Sequence, residues 1–199
     1  MKFIFVNKRK LGLCLIILGL MVILFGFEKK FDDRLKMTSL VRNKISSLKE
    51  YKGLDYKLTY KLPESWNTKQ YTFSGEDILY NNEFENKEQG IHGFVQVWNL
   101  EEDLKEFLTN SKKISDYSKI DYKNYKMIPI NLNNKKGYLV KYSYQSKAGK
   151  FIAYEYFIGY KDKIFRFSFF IKDENFEEST ETVLEFIVKT LQYKESNYD

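Results

Sequence analysis

The sequence has one cysteine and one histidine in 199 residues, and these shortages exclude several kinds of site. Cys14 lies inside an apolar stretch, so the polar remainder has no disulfide and no thiolate metal site. His92 alone cannot supply a three-ligand zinc site of the common types, and any Ser–His–acid arrangement would have to use it. No serine lies in a G-x-S-x-G elbow, and there is neither a P-loop nor a G-x-G-x-x-G motif. We therefore predict a non-enzymatic protein without metal or cofactor.

Excess charge is missing from most of the chain. The net charge is +6, but residues 57–193 contain twenty basic and twenty acidic residues. The positive excess lies within residues 1–56, on both sides of the apolar stretch, where it suits anionic lipid headgroups. A neutral domain is a poor partner for nucleic acid, so we predict no nucleic-acid binding.

The apolar stretch covers residues 11–27, LGLCLIILGLMVILFGF. It has seventeen residues and no charge, and twelve of them are Leu, Ile, Val or Phe. As a helix it would be about 26 Å long, near the lower limit for a hydrocarbon core of about 30 Å. We predict a basic tail at residues 1–10, followed by one transmembrane helix at 11–27 with the lipid bilayer as its partner.

Three other interpretations of this stretch are open. A cleaved secretory signal would have a shorter apolar region ending in small residues, whereas this one ends in Leu24-Phe25-Gly26-Phe27. Lipid attachment at Cys14 would follow a small residue, and Leu13 precedes it. A buried core helix would be unusual directly after the polar residues 7–10.

The orientation depends on the order of segments, because Lys and Arg are nearly balanced on the two sides of the stretch. A short basic tail, an apolar stretch and a long domain occur in this order in uncleaved signal sequences. Lys far outnumbers Arg, and Asn, Ile, Tyr and Phe are frequent, which is typical of AT-rich bacteria. We predict a single-pass protein of the bacterial plasma membrane with its C-terminal domain outside the cytoplasm.

Residues 28–56 are predicted to form a helical stalk. Phe31, Leu35, Val41, Ile45 and Leu48 recur at a spacing near 3.5, and the first glycine after them is Gly53, a plausible helix stop. Either this stripe packs on the protein's own domain, or it forms a homodimeric coiled coil.

Residues 57–193 are predicted to form one α+β domain, followed by a polar tail at 194–199. Alternating or apolar segments with turn residues between them lie at 56–62, 78–84, 90–98, 126–132, 138–145, 150–160 and 163–171, and short turns join the last three. Short turns require antiparallel neighbours, so we predict an antiparallel sheet of about six strands. Asn99 and Glu102 resemble a capping box before a helix that carries Leu104 and Leu108. A C-terminal helix begins at Asp173 or Asn175, and both helices should pack on the sheet.

The last two strands predict a specific contact. If Lys161-Asp162 is a two-residue loop, Phe157 faces Arg166 and Glu155 faces Ser168. Glu155 and Arg166 are then diagonal neighbours on one face, so we expect a cross-strand ion pair.

Several segments together resemble the PsbP-like family of α/β/α sandwiches. They are LPESW at residues 62–66, FVQVW at 94–98 with the helix after it, KGYLVKYSY at 136–144, and the hairpin AYEYFIGYKDKIFRFSFF at 153–170. More narrowly, the chain resembles membrane-anchored PsbP-related proteins of clostridia and their relatives. Photosynthetic members support a manganese–calcium cluster, but none of their metal-contacting residues is matched here. The resemblance implies a non-catalytic binding or assembly role.

Five residues are candidates for ligand binding: Trp66, His92, Trp98, Glu155 and Arg166. The tryptophans could stack on sugars of a cell-wall glycan, or pack in the core or at its edge. His92 could simply pack beside aromatic rings, and Glu155 with Arg166 could form either a functional pair in a cleft or a structural ion pair. Glu83, Glu85 and Glu88 could form a weak calcium site, or simply a solvated strand edge. The predicted function is binding of a protein or envelope component; the alternatives are a glycan-acting enzyme with paired carboxylates and a structural oligomer built through the stalk.

Overall fold

A computed structural model describes residues 16–22, 38–73, 77–100, 102–117 and 122–194. Residues 16–22 are helical, and their large apolar side chains are exposed, for example Ile16 and Val22. Across the described ranges, no helix has the length and apolar character needed to cross a bilayer. Most of the predicted membrane segment, 11–27, lies outside those ranges.

The helical stalk predicted over residues 28–56 is wrong from residue 43 onward. Residues 38–42 are helical, but Leu48–Gly53 form strand β1, which pairs antiparallel with β2, Leu58–Pro63. Ile45 is buried in the core while Val41 is 72% exposed, so the apolar spacing belongs to two different elements. The helix on which a stalk-mediated homodimer was based therefore does not continue beyond residue 42.

Among the described residues, the main sheet has seven antiparallel strands rather than about six. Its spatial order is β3-β4-β5-β9-β8-β7-β6. The strands are β3 Asn67–Gln70, β4 Ile78–Asn86, β5 Ile91–Asn99, β6 Lys123–Leu132, β7 Lys135–Ser146, β8 Gly149–Tyr160 and β9 Lys163–Lys172. A second sheet has the order β1-β2-β10, with β10 at Gln192–Tyr193.

Two-residue turns fix the register of the hairpins. Asn133 and Asn134 both have positive φ, 51° and 62°, as the turn between β6 and β7 requires. Lys161 and Asp162 connect β8 to β9, with Phe157 opposite Arg166 and Glu155 opposite Ser168. The register predicted for this hairpin is confirmed.

Within the described ranges, two helices of more than ten residues pack on the main sheet. Helix α1, Leu104–Tyr117, packs on one face of the main sheet, and helix α2, Glu178–Lys189, packs on the other face together with the small sheet. Asp103, and not Asn99, caps α1, since its Oδ1 accepts the backbone N–H groups of Lys105 and Glu106. Asn99 instead ends β5.

The C-terminal helix also begins later than predicted. Asp173–Asn175 form a 3₁₀ turn, and Glu177 caps α2 in a capping box with Thr180. The larger core lies beneath α2 and the small sheet, and a smaller core lies beneath α1. The result is a layered α+β domain that begins before residue 57, because β1 and Ile45 belong to it.

Candidate ligand-binding site

The sheet face beneath and beside α1 carries most of the predicted binding residues. Strands β5, β9 and β8 lie side by side there, and their register aligns residues in rows across the face. Two central rows are Gln96, Arg166 and Phe157, and then Phe94, Ser168 and Glu155. The rows place one charged pair among aromatic rings.

Glu155 is the centre of this pair. Its Oε2 accepts hydrogen bonds from Arg166 Nε at 3.0 Å, Arg166 Nη2 at 2.5 Å and Ser168 Oγ at 2.6 Å, and its Oε1 accepts one from the Tyr142 hydroxyl at 2.7 Å. Only 5% of Glu155 is exposed. The predicted ion pair is therefore confirmed, and its carboxylate is buried.

The protonation of the pair follows from these contacts. Burial alone would raise the pKa of the Glu155 carboxyl, but the charge of Arg166 and the hydrogen bonds from Ser168, Arg166 and Tyr142 together hold it below its usual range. Burial and the neighbouring Glu155 charge raise the pKa of the Tyr142 hydroxyl. At neutral pH Glu155 is an anion and Tyr142 is a protonated donor.

Helix α1 does not close completely over the pair. A cavity of about 270 Å³ lies between the helix and the sheet. Its lining includes Trp98, Phe107, Tyr122, Tyr125, Tyr142 and Phe157, with Glu155 and Arg166 among them. The Arg166 guanidinium lies 4.8 Å from the Phe94 ring centroid and 5.2 Å from that of Phe157. This cation is held between two rings, which fixes its position at the cavity.

Trp98 forms one wall of the cavity. Its Nε1 donates to Gln96 Oε1 at 2.9 Å, and Gln96 Nε2 in turn donates to Asn81 Oδ1 at 2.8 Å. The Trp98 and Phe107 ring centroids are 6.2 Å apart, nearly edge to face, so the sheet and α1 hold this ring together.

His92 lies on the same face but lines a different, wider cavity of about 590 Å³. It stacks on Phe170 with centroids 5.2 Å apart and meets Phe151 edge-on. Burial lowers the pKa of His92, against the opposing effect of Glu85. The structure thus surrounds this histidine with aromatic packing and an exposed carboxylate.

Trp66 is separated from the other four predicted residues. It lies in the core on the opposite side of the main sheet, 4% exposed, and stacks on Phe84 with centroids 4.9 Å apart. Its Nε1 donates to Gln89 Oε1 at 3.1 Å. Trp66 lines a separate cavity of about 230 Å³ on that side of the sheet.

The weak calcium site considered at Glu83, Glu85 and Glu88 is not formed as a ligand set. Among the described residues, no three His, Cys, Asp or Glu side chains are grouped so that they could hold a metal ion. Glu83 and Glu85 are exposed on β4.

Comparisons with known proteins identify the fold. No family model and no curated protein matches the chain. The solution structure of cyanobacterial PsbP (CyanoP) from Synechocystis sp. PCC 6803 superposes with a TM-score of 0.54 at 11% identity, covering 75% of this chain and 94% of that one. The fold is PsbP-like. A crystal structure from Bacteroides thetaiotaomicron superposes with a TM-score of 0.52 at 12% identity, over 74% of this chain and 49% of that protein.

Some residues of the PsbP-like domain's site were missed in the sequence. Tyr142 is one row from Glu155 on β7, and a correct count across the turn at residues 147–148 would have placed it there. Phe107 and Tyr125 reach the cavity from α1 and β6, which are not sequence neighbours of the hairpin. No local pattern indicates that these segments meet over Glu155.

Proposed function

We propose that this chain is a membrane-anchored PsbP-related protein of the kind found in clostridia, whose extracytoplasmic domain is a non-catalytic binding module. The observation that carries the proposal is the cavity beneath α1, where a neutralised charged pair lies among aromatic side chains. Concave, mostly apolar sites with a few fixed polar groups are typical of ligand binding. The partner is a component of the cell envelope.

Glu155 is better suited to fixing the positions of the side chains around it than to transferring protons. It accepts hydrogen bonds from three side chains and is ionised at neutral pH, so it is a poor general acid. A carboxylate-dependent glycosidase needs two acids about 5 to 10 Å apart. Glu155 is the only Asp or Glu among the described residues that line this cavity. These features favour binding over hydrolysis.

Two features support the proposed anchor: the apolar segment at 11–27, and the contacts that hold residues 43–45 against the domain. Asn43 Oδ1 accepts a hydrogen bond from Thr180 Oγ1 at 3.1 Å, Gln89 Nε2 donates to the Asn43 carbonyl, and Ile45 is buried. The chain between residues 27 and 38 can span at most about 40 Å. A domain attached in this way stays close to the bilayer surface.

Photo-crosslinking in intact cells tests the binding role. A benzophenone amino acid replaces Lys112, which lines the cavity, and in a control it replaces Tyr56, which is 77% exposed in the turn after β1. We expect a discrete envelope adduct from position 112 that is absent from position 56 and is reduced by Trp98→Leu. The same adducts at both positions, or none at position 112 in a domain that is folded and displayed, would contradict the proposal.

A further inference from the structure

The cavity beneath α1 limits the size of what it can hold. At about 270 Å³ it is smaller than the roughly 300–1,000 Å³ typical of sites for drug-sized ligands. Trp98 and Phe107 form one wall, and Tyr122 and Tyr142, with centroids 4.5 Å apart, form another. A ligand with a single ring and an apolar face fits between such walls.

The floor of the cavity is polar without being strongly charged. Glu155 neutralises Arg166, so the pair gives no strong preference for an anion or a cation. A neutral ligand is therefore favoured over an ionic one.

The floor still offers complementary hydrogen-bonding groups. Arg166 uses Nε and Nη2 on Glu155, and Nη1 has no acceptor among the described residues. The Tyr142 hydroxyl donates a hydrogen bond to Glu155, so its oxygen can still accept a hydrogen bond from a ligand. A hydroxyl group both donates and accepts, and it can satisfy both partners at once.

A neutral ring with an apolar C–H face and several hydroxyl groups is a sugar. We propose that the cavity beneath α1 binds a single pyranose residue of an envelope glycan, with its C–H face on the aromatic wall and its hydroxyls on Arg166 and Tyr142. This inference rests on the proposed binding function and names its ligand class.

The two tryptophans provide a direct test. The chain has only Trp66 and Trp98, and only Trp98 lines this cavity, while Trp66 lies in the opposite core. The ¹⁵N-labelled full chain, in detergent micelles without sugar headgroups, is titrated with chito-, cello-, malto- and mannotetraose. We expect at least one of them to move the Trp98 indole N–H resonance saturably while the Trp66 resonance stays in place.

Variants identify the site. In Trp98→Leu the Trp98 indole N–H resonance is absent, which assigns that resonance in the wild type. The same variant should bind the oligosaccharide at least tenfold more weakly, as measured by calorimetry. The matched control Tyr56→Leu removes an exposed ring that does not line the cavity, and this variant should bind as the wild type does. Phe107→Leu keeps an apolar residue in the smaller core and tests the same wall if Trp98→Leu does not fold.

Three outcomes would overturn the pyranose assignment. They are no Trp98 shift with any tetrasaccharide up to about 10 mM, equal shifts of both indoles, or a saturable Trp98 shift with 4-hydroxybenzoate alone, which would indicate an aromatic anion. If crosslinking from position 112 still captures an envelope component in any of these cases, the binding module stands and only its ligand is wrong.

Discussion

Glu155 and Arg166 show how a single pair determines the character of the site. Each depends on the other, because a charge left alone in a buried place is far more costly than a pair. Glu155 is almost fully buried, while a quarter of the Arg166 side chain is exposed. The cost of breaking the pair should therefore fall mainly on the carboxylate.

Replacing Arg166 with Met should destabilise the domain by about 3–5 kcal/mol, because the Glu155 carboxylate loses its cation while it remains buried. The double variant Glu155→Gln/Arg166→Met should recover part of that loss, since the remaining amide is neutral. Urea unfolding of the single and double variants measures both effects. Additive losses would show that the two side chains do not interact.

The pKa of Glu155 predicts a pH dependence with a definite sign. The folded-state pKa is lowered, so the stabilisation is fully present above the unfolded-state pKa of about 4.3 and is lost as pH falls toward the folded-state value. The free energy of unfolding should decrease more between pH 6 and pH 3 for the wild type than for Glu155→Gln. Equal decreases would mean that Glu155 does not carry this dependence.

At Gly93, strand β5 leaves no room for a side chain next to residues of its two neighbouring strands, β4 and β9. A Cβ on Gly93 would lie 1.9 Å from the Ser168 carbonyl oxygen and 2.6 Å from Phe84 Cζ. No side chain fits there without moving the adjacent strand, because protein interiors are packed too densely to absorb the overlap.

Gly93→Ala should therefore destabilise the domain by about 3 kcal/mol or more. The matched control is Gly159→Ala on β8, where the nearest atom to a new Cβ would be Leu104 Cδ2 at an ordinary 3.4 Å. We expect that variant to unfold within about 1 kcal/mol of the wild type. Thermal and urea unfolding compare the two, and a similar loss in both would contradict the packing argument.

Elements with local patterns could be predicted from the sequence, while those defined by distant partners could not. Counting from the Lys161-Asp162 turn placed Glu155 beside Arg166 without a structure. Strands β3 and β10 were not predicted. Strand β3 has no apolar residue in Asn67–Gln70, while β10 is two residues long and pairs with β2, which is near the other end of the domain in sequence. β1 was mistaken for helix because one turn of helix followed by a strand gives almost the same spacing of apolar residues.

The site follows the same rule. The hairpin supplied its charged pair, but the cavity exists only because α1 and β6 pack over that pair from other parts of the chain. The contacts of Trp66 could not be predicted for the same reason, since Phe84 and Phe169, on which its ring packs, come from distant strands.

At the scale of the whole molecule, the proposed function requires the domain to lie outside the cytoplasm. The hydrogen bond from Gln89 Nε2 to the Asn43 carbonyl places Asn43 beside the turn after β4, at the opposite end of that strand from Ile78. The chain therefore enters the domain at one end of the main sheet, and the turn with Tyr56 remains exposed. A label at Tyr56 can report on the compartment without disturbing the cavity.

Cysteine labelling tests the orientation, because Cys14 is the only native cysteine and lies in the apolar segment. A membrane-impermeant maleimide should label Tyr56→Cys in intact cells, since position 56 is exposed and the proposed topology puts it outside. The matched control Lys2→Cys, in the basic tail, should be labelled only after permeabilisation. The reverse pattern would place the domain in the cytoplasm, and with it any ligand of the cavity beneath α1.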